Sequence, residues 1–321
     1  MTAVRLSGSR CVVTGGVGFI GSTLVIELLQ KGASVKVIDN LVTGRKSNLN
    51  QVLNQVGFAE IDIRNLDAVR KEIRGSEFIF HLAAINSVPR SIEHPDLAIS
   101  SNVMGTLNLL MAAKECGIRK LVNASSSSVY GGIKEEMKKE SMAAWPLSPY
   151  AISKYSAELL VKNYFEVYGL ETVSLRYFNV FGPRQDPNSP YAAVIPKFLS
   201  ALLKKESPIV FGDGTQARDF TFVNNVVEAT LLALVNGKPG EVYNVGGGSL
   251  TTLNELLEHL TVTTGSRIKP KYEDWRKGDV YRSGADVSKT KAELGFESKI
   301  SLKEGLQNMT EWYVREEQHN P

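Results

Sequence analysis

Thr14-Gly15-Gly16-Val17-Gly18-Phe19-Ile20-Gly21 is the stretch whose reading decides the fold. It follows the apolar run Arg10–Thr14 and opens into an amphipathic run over 20–31, so a strand turns directly into a helix. Gly15, Gly18 and Gly21 each answer a steric need: a tight turn, a close backbone approach to a diphosphate, and contact between helix and strand. Free N–H groups and the helix dipole then make the turn an anion site. A Gly-rich turn alone is weak evidence, since many are only turns. Here the next strand, Ser34–Asp39, ends on a carboxylate that can bind both adenosine ribose hydroxyls. A solvated strand-end acid is the plain alternative for Asp39.

Working outward, strand-like runs at Gly57–Glu60, 77–81, 120–124 and 172–176 alternate with helical runs at 67–74, 100–116 and 148–168. This alternation implies right-handed crossovers and an α/β fold, a doubly wound parallel sheet of the Rossmann type. After Arg176 the pattern breaks. The segment 179–191 is dense in Pro, Gly, Asp and Asn and reads as a functional loop. Shorter helices follow at 194–204, Val223–Asn236 and 253–263, then a polar stretch at 269–286 and a frayed helix at 311–321. The reading is a large nucleotide-binding domain interleaved with a smaller, lid-like one.

Composition narrows the classes. Over 321 residues, 43% are apolar and 22% charged, as in an ordinary globular enzyme. A net charge of +3 argues against nucleic-acid or membrane-surface binding. Two cysteines and four histidines leave neither a disulfide scaffold nor a zinc-type cluster, so no metal is expected. With no basic-then-apolar leader and no apolar run near the ~18–20 residues of a membrane span, a reducing, cytoplasmic compartment is expected.

Tyr150 and Lys154 are four apart in a helical run and share a face. Ser125–Ser126–Ser127–Ser128 ends a strand at the sheet edge where ligands of such folds bind. A Tyr, a Lys and a Ser converging beside a nicotinamide make a carbinol acid/base. Lowering a tyrosine by about 3 units requires roughly 4 kcal/mol, about what one ammonium at ~4 Å supplies at an effective dielectric of ~20. Separately, the pair reads as a solvated helix face and the Ser run as a cap; with the dinucleotide loop they form one signal. Asp39, followed by Asn40, favours NAD over NADP because a 2′-phosphate would meet like charge, although Arg45 and Lys46 lie close by. Asp62 and Ile63 follow the third strand, where they could bind the adenine edge or simply turn the chain.

Gly15-x-x-Gly18-x-x-Gly21, Asp62-Ile63-Arg64, His81-Leu82-Ala83-Ala84, Ser125–Gly131 and Tyr150-x-x-x-Lys154 together resemble the extended short-chain dehydrogenases/reductases. Arg176-Tyr177-Phe178-Asn179-Val180-Phe181-Gly182-Pro183-Arg184 and Arg218-Asp219-Phe220 are similar to the branch acting on nucleotide-diphosphate sugars, UDP-glucose and UDP-N-acetylglucosamine 4-epimerases above all. The likeness runs from Arg10 to about Leu306. It implies an NAD-binding Rossmann domain over 1–178 plus about 219–245, and a nucleotide-sugar-binding domain over 179–218 and 246–321.

The resemblance implies C4 epimerisation of UDP-hexoses by transient oxidation to a 4-keto sugar and re-reduction on the opposite face. Tyr150 would be the acid/base, Ser126 its hydrogen-bonding partner at O4, and Lys154 the ligand of the nicotinamide ribose. Phe19, Ile20, Leu82, Ala83, Ala84, Asn102 and Tyr177 would complete the NAD site, with helix N-capping the alternative for Asn102. Family dehydratases carry Asp-Glu after the Ser/Thr; here Ser127 and Ser128 stand there, which argues against elimination. For the substrate, Asn179, Arg218 and Arg276 match diphosphate ligands and Asp279 a uridine-ribose ligand. Ala193 and Val194 match backbone contacts to uracil, and Ser87 and Ser127 stand near the sugar. A surface charge pair is the alternative for Arg276 and Asp279. Ser283 falls where sugar-restricted members carry Tyr, so a 2-acetamido group would fit, making UDP-GlcNAc/UDP-GalNAc the expected pair with UDP-Glc/UDP-Gal also accepted. Tyr281 would take the blocking role if the register slips. The apolar faces of 100–116 and 148–168 suit either burial in the monomer or the family's homodimer bundle. A UDP-glucuronate 4-epimerase or a reductase is the alternative within the fold, and a non-catalytic NAD(H)-sensing protein the alternative outside it.

Overall fold

A computed structural model describes residues 6–187, 189, 192–275 and 280–319. In chain order, β1 (Arg10–Thr14), α1 (Phe19–Gln30), β2 (Ser34–Asp39), β3 (Gly57–Glu60), α2 (Leu66–Ile73) and β4 (Phe78–His81) open the structure. Next come α3 (Val88–Glu93), α4 (Pro95–Ile99), a π-helical turn (Ser100–Met104), α5 (Gly105–Glu115) and β5 (Lys120–Ser126). They are followed by β6 (Met137–Lys138), α6 (Pro149–Tyr168), β7 (Glu171–Tyr177), β8 (Val180–Phe181), α7 (Val194–Leu203), β9 (Ile209–Phe211), β10 (Ala217–Arg218) and β11 (Thr221–Phe222). The last elements are α8 (Val223–Asn236), β12 (Val242–Val245), β13 (Thr251–Thr252), α9 (Leu253–Thr264), β14 (Lys271–Glu273), β15 (Arg282–Ala285), α10 (Ser288–Leu294) and α11 (Leu302–His319).

Among the described residues the central sheet has seven strands in the order β12-β7-β5-β4-β1-β2-β3. Each neighbouring pair runs parallel. The order turns around beside β1, so a crevice opens at the C-terminal ends of β1 and β4, where such folds bind ligands. The β1–α1 turn is forced by contact. Gly15 sits at φ +71°, and a Cβ on Gly21 would come within 2.1 Å of the Gly15 carbonyl oxygen. Only a glycine-lined turn lets α1 start this close to the strand.

Two apolar layers cover the sheet. Leu24, Leu28, Val226, Leu231 and Tyr243 belong to one, and Val69, Ile73, Leu109, Leu110 and Val161 to the other. A separate core holds Phe181, Phe198, Leu199, Phe220, Leu256, Leu260, Leu306 and Met309, contributed by α7, α9, α11 and the short strands between them. Leu294 and Phe296 pack into the first layer although they lie late in the chain.

Three segments differ from the sequence reading. The helical stretch expected over 100–116 begins at Pro95 and carries a π turn at Ser100–Met104, which sets Asn102 inside rather than at a helix start. Asn102 therefore caps nothing. The polar stretch 269–286 contains β14 and β15: β14 pairs with β9, and β15 lies between β10 and β6 in a four-stranded sheet. The terminal helix starts at Leu302, as Leu306 and Met309 are anchored in the second core.

Candidate active site

The crevice is a cleft lined along one wall by Gly15, Gly18, Phe19, Ile20 and Gly21. No side chain caps α1 at Gly18, and a Cβ there would meet only the Gly15 oxygen, at 3.2 Å. The first-turn amides are thus open to an anion, and the glycine leaves the room that a diphosphate needs. Asp39, Asn40, Asp62 and Ile63 line one end of the cleft, and Leu82, Ala83, Ala84, Tyr150, Lys154 and Tyr177 line the rest. This donor set fits a dinucleotide: anion-binding amides in the middle, carboxylates toward one ribose, and a proton-transfer pair at the other end.

Asp39 is buried at the end of β2, where its Oδ1 accepts the Leu41 N–H at 2.9 Å and its Oδ2 the Val17 N–H at 3.3 Å. Burial raises its pKa against these bonds. Asn40 donates to Asp62 at 2.9 Å, and Arg64 holds Asp62 with two guanidinium bonds, keeping that carboxyl at about 2. Arg45 is paired with Asp186 at 2.5 Å and Lys46 with Glu60 at 2.9 Å. Both cations that could have welcomed a 2′-phosphate are turned to partners of their own.

A buried polar chain ties this wall to the opposite one. The Thr106 hydroxyl donates to the Asn102 carbonyl at 2.5 Å, so it accepts from His81 Nε2–H at 2.9 Å. His81 Nδ1 then accepts from the Thr14 hydroxyl at 2.7 Å, and that oxygen accepts the Ala83 N–H at 3.3 Å. These bonds assign His81 as the neutral Nε2–H tautomer. Burial, with the positive Lys154 nearby, depresses its pKa to about 3. Asn102 binds both backbone polar groups of Ile85 and donates to Ser153 on α6 at 2.9 Å. Asn102 thus braces the cleft wall from behind.

Helix α6 starts cleanly because Ser148 caps the Ala151 N–H, Pro149 occupies the first turn, and the Tyr150 N–H donates to Ser91 of α3 at 3.0 Å. The start fixes Tyr150 and Lys154 on the face toward the cleft. Ser126, at the end of β5, caps the turn at Ser127–Tyr130 by accepting the Ser128 N–H, and its hydroxyl is also the hydrogen-bonding neighbour of Tyr150. The sequence reading expects Lys154 to pull the Tyr150 pKa down. In the protein alone burial prevails and raises it, with Ser126 acting in the opposite direction. Lys154 is itself buried and is lowered to about 8, with Glu158 opposing the shift. Tyr177 lines the cleft, and its hydroxyl is hydrogen-bonded to Thr230 at 2.8 Å.

Beyond the cleft, Asn179, Ala193, Val194 and Arg218 line a second, mainly apolar pocket with Phe181, Phe198, Phe211 and Phe220. Asn179 donates to the Asp219 carbonyl at 3.0 Å, and Arg218 reaches the Tyr281 carbonyl at 3.1 Å. Ser87 caps α3 and lines a larger cavity that also includes Arg90, Arg184 and Ala193. Ser283 lies on β15 directly opposite Arg218, and Tyr281 bonds Thr215 at 2.7 Å. Ser126, Ser127 and Ser283 fall outside these three linings. Arg276 and Asp279 lie outside the described residues.

Sequence reasoning gave no role to His81, Asp219, Glu158 or Arg176. Asp219 is buried and accepts the N–H groups of Gly247, Gly248 and Ala285, pinning the loop after β12. Glu158 and Arg176 form a buried ion pair behind Lys154. Their sequence signal was charge inside otherwise apolar strand and helix faces.

A family model described as the NAD dependent epimerase/dehydratase family matches residues 11–246. A putative UDP-glucose 4-epimerase of Methanocaldococcus jannaschii is 41% identical, over 94% of this chain and 97% of that protein. The fold superposes with a TM-score of 0.93 on a UDP-N-acetylglucosamine 4-epimerase from Methanobrevibacter ruminantium M1 in complex with UDP-N-acetylmuramic acid. That structure is 41% identical, over 97% of this chain and 99% of the other. The Thermus thermophilus UDP-glucose 4-epimerase in complex with NAD gives 0.88 at 37% identity, over 95% and 99%. NAD is the cofactor that the cleft serves.

The His81 assignment carries a pH signature. A folded-state value near 3 against about 6.5 unfolded means that the unfolded chain takes up this proton first as pH falls. Stability should therefore drop as pH falls below about 6.5, by ~2 kcal/mol at about pH 5 from this group alone. Urea unfolding of the wild type and of His81→Asn at both pH values checks this: the acid-dependent component should be missing in the variant.

Proposed function

Because the chain belongs to the NAD-dependent epimerase/dehydratase family, we propose that it epimerises C4 of UDP-hexoses, with UDP-GlcNAc/UDP-GalNAc the main pair and UDP-Glc/UDP-Gal also accepted. The observation that carries this reading is Tyr150 and Lys154 in the dinucleotide cleft beside Ser126, with serines at 127 and 128 where elimination would need carboxylates. Of the cleft's two acids, Asp39 ends β2 and Asp62 follows β3, and β1 and β4 separate β2 from β5. Neither is near enough in the sheet to serve as the missing acid.

Bound NAD supplies the hydride exchange at the sugar carbon. The chain's own part is proton handling and positioning. Tyr150 Oη takes the proton of the sugar hydroxyl and returns it, while Ser126 Oγ holds the same oxygen. Lys154, charged below a pH of about 8, binds the cofactor ribose, and Ser126 opposes the burial that raises the Tyr150 phenol. Gly18, Phe19, Ile20 and Gly21 hold the dinucleotide's diphosphate, and Asp39 and Asn40 its adenosine ribose, with Asp62 and Ile63 at the adenine. Asn179, Arg218 and Arg276 bind the UDP diphosphate, Ala193 and Val194 contact uracil, Asp279 the uridine ribose, and Ser87 and Ser127 the sugar. Ser283 leaves room for an acetamido group.

A second copy of the chain is the partner we assign to the α4–α6 face. Ile99, Met104, Ile152 and Leu159 are exposed there, two of them two turns apart on α6. Large apolar side chains grouped this way are usually covered.

Incubating the pure protein with UDP-GlcNAc, UDP-Glc and UDP-glucuronate without added cofactor should give 4-epimers of the first two, resolved by chromatography. Conversion of the uronate alone would refute the reading. Tyr150→Phe should lower kcat by about 100-fold or more with UDP-sugar affinity nearly unchanged. Ser283→Tyr should depress acetamido-sugar turnover at least tenfold more than UDP-glucose turnover, a difference of about 1.4 kcal/mol; equal losses would remove Ser283 as the gate. Leu159→Glu should convert a dimer into a monomer in sedimentation equilibrium.

A further inference from the structure

Tyr150, Lys154 and Glu158 recur every fourth residue on α6 and so occupy one stripe facing the sheet. The first two line the cleft and the third lies one turn deeper, 3% exposed. Glu158 is held from two strands. Arg176 of β7 binds it with two guanidinium bonds, 3.0 Å to Oε2 and 2.6 Å to Oε1, and Ser125 of β5 donates to Oε2 at 2.7 Å. Arg176 and Ser125 are themselves register partners in the sheet. Arg176 is fixed in turn by its position over the Tyr130 ring, 4.7 Å from the centroid, and Tyr130 by its bond to Asn244. A bidentate, strand-anchored carboxylate this deep does little for stability that an apolar pair could not do as well.

We propose that Glu158, clamped by Arg176 and Ser125, is a positioning residue that keeps Lys154 in its ammonium form beneath the cleft. This rests on the acid–base reading of Tyr150 and Lys154. Among the described residues, the titratable groups placed around Lys154 are Tyr150 and Glu158 on its own helix, the neutral His81 of β4, and Tyr177 of β7 with its hydroxyl turned to Thr230; Arg176 of β7 stands behind them, paired with Glu158. Of these only Glu158 is an anion. Burial pushes Lys154 to about 8, and the Glu158 charge is the influence that holds it from falling further. Arg176 fixes where that charge sits, and Ser125 keeps the carboxylate from rotating away.

Competitive acetylation of the full chain with acetic anhydride, followed by mass spectrometry of the Lys154 peptide from neutral to alkaline pH, reads the Lys154 titration without any turnover. Glu158→Gln should lower the midpoint by about one pH unit or more, and Glu158→Asp should bring it back toward the wild-type value. The alkaline limb of kcat in Glu158→Gln should move the same way, with KM for the UDP-sugar little changed. An unmoved midpoint in folded Glu158→Gln overturns the proposal. If that variant does not fold with Arg176 left unpaired, Glu158→Gln/Arg176→Met takes its place; a smaller fall of the midpoint in the same direction is expected, because the paired cation goes with the anion, and an unmoved midpoint is equally fatal. A wild type that converts none of the UDP-sugars would sink the functional reading, while the labelling midpoints would still decide this one.

Discussion

The buried hydrogen-bond chain Thr14–His81–Thr106–Asn102–Ser153 is the constraint on which the site depends. It begins at the last residue of β1, crosses β4, passes through the π turn and ends on the helix that carries Tyr150 and Lys154. Each member is satisfied only if its neighbours keep their places, because an unpaired polar group at this depth costs about 1–3 kcal/mol. The distance between the glycine turn and the Tyr150–Lys154 pair is thereby set by bonds rather than by packing alone. The chain of bonds passes through the π turn at Ser100–Met104, where Asn102 is buried.

Electrostatics at the site is a contest between burial and a small number of fixed partners. Burial alone raises Tyr150 and lowers Lys154, the wrong direction for both members of an acid–base pair. Ser126 corrects the first in part, and Glu158 the second. At the far end, the same competition leaves Asp39 raised despite two amide bonds, while Arg64 holds Asp62 ionised. The Arg45–Asp186 and Lys46–Glu60 pairs remove the cations that would make the adenosine end hospitable to an extra phosphate.

The second core is what shapes the pocket beyond the cleft. Phe198, Leu199, Leu256, Leu260, Leu306 and Met309 bring α7, α9 and α11 together so that Ala193 and Val194 open a helix over an apolar pocket faced by Arg218. Asp219, one residue on, spends its carboxylate on three backbone N–H groups and so locks the loop after β12 to the short strands. Adjacent residues thus serve opposite purposes, one cation at the pocket and one anion into the frame.

Much was legible in the chain itself. The glycine turn, the strand periodicity and the Tyr150–Lys154 spacing are local: φ at Gly15, contact at Gly21 and a helical face four residues apart follow from covalent geometry and need no distant partner. The helix before Ser100, the strands β14 and β15 in 269–286, the terminal helix from Leu302 and the inward placement of Asn102 were not legible, because each depends on a surface that exists only after folding. The same holds for charge. Sequence placed a cation next to a phenol, but only the tertiary structure decided that both would be buried, that Ser126 would meet one, and that an anion clamped from two strands would stand behind the other. Proton affinities are set by depth and by neighbours remote in sequence, and no spacing rule carries either.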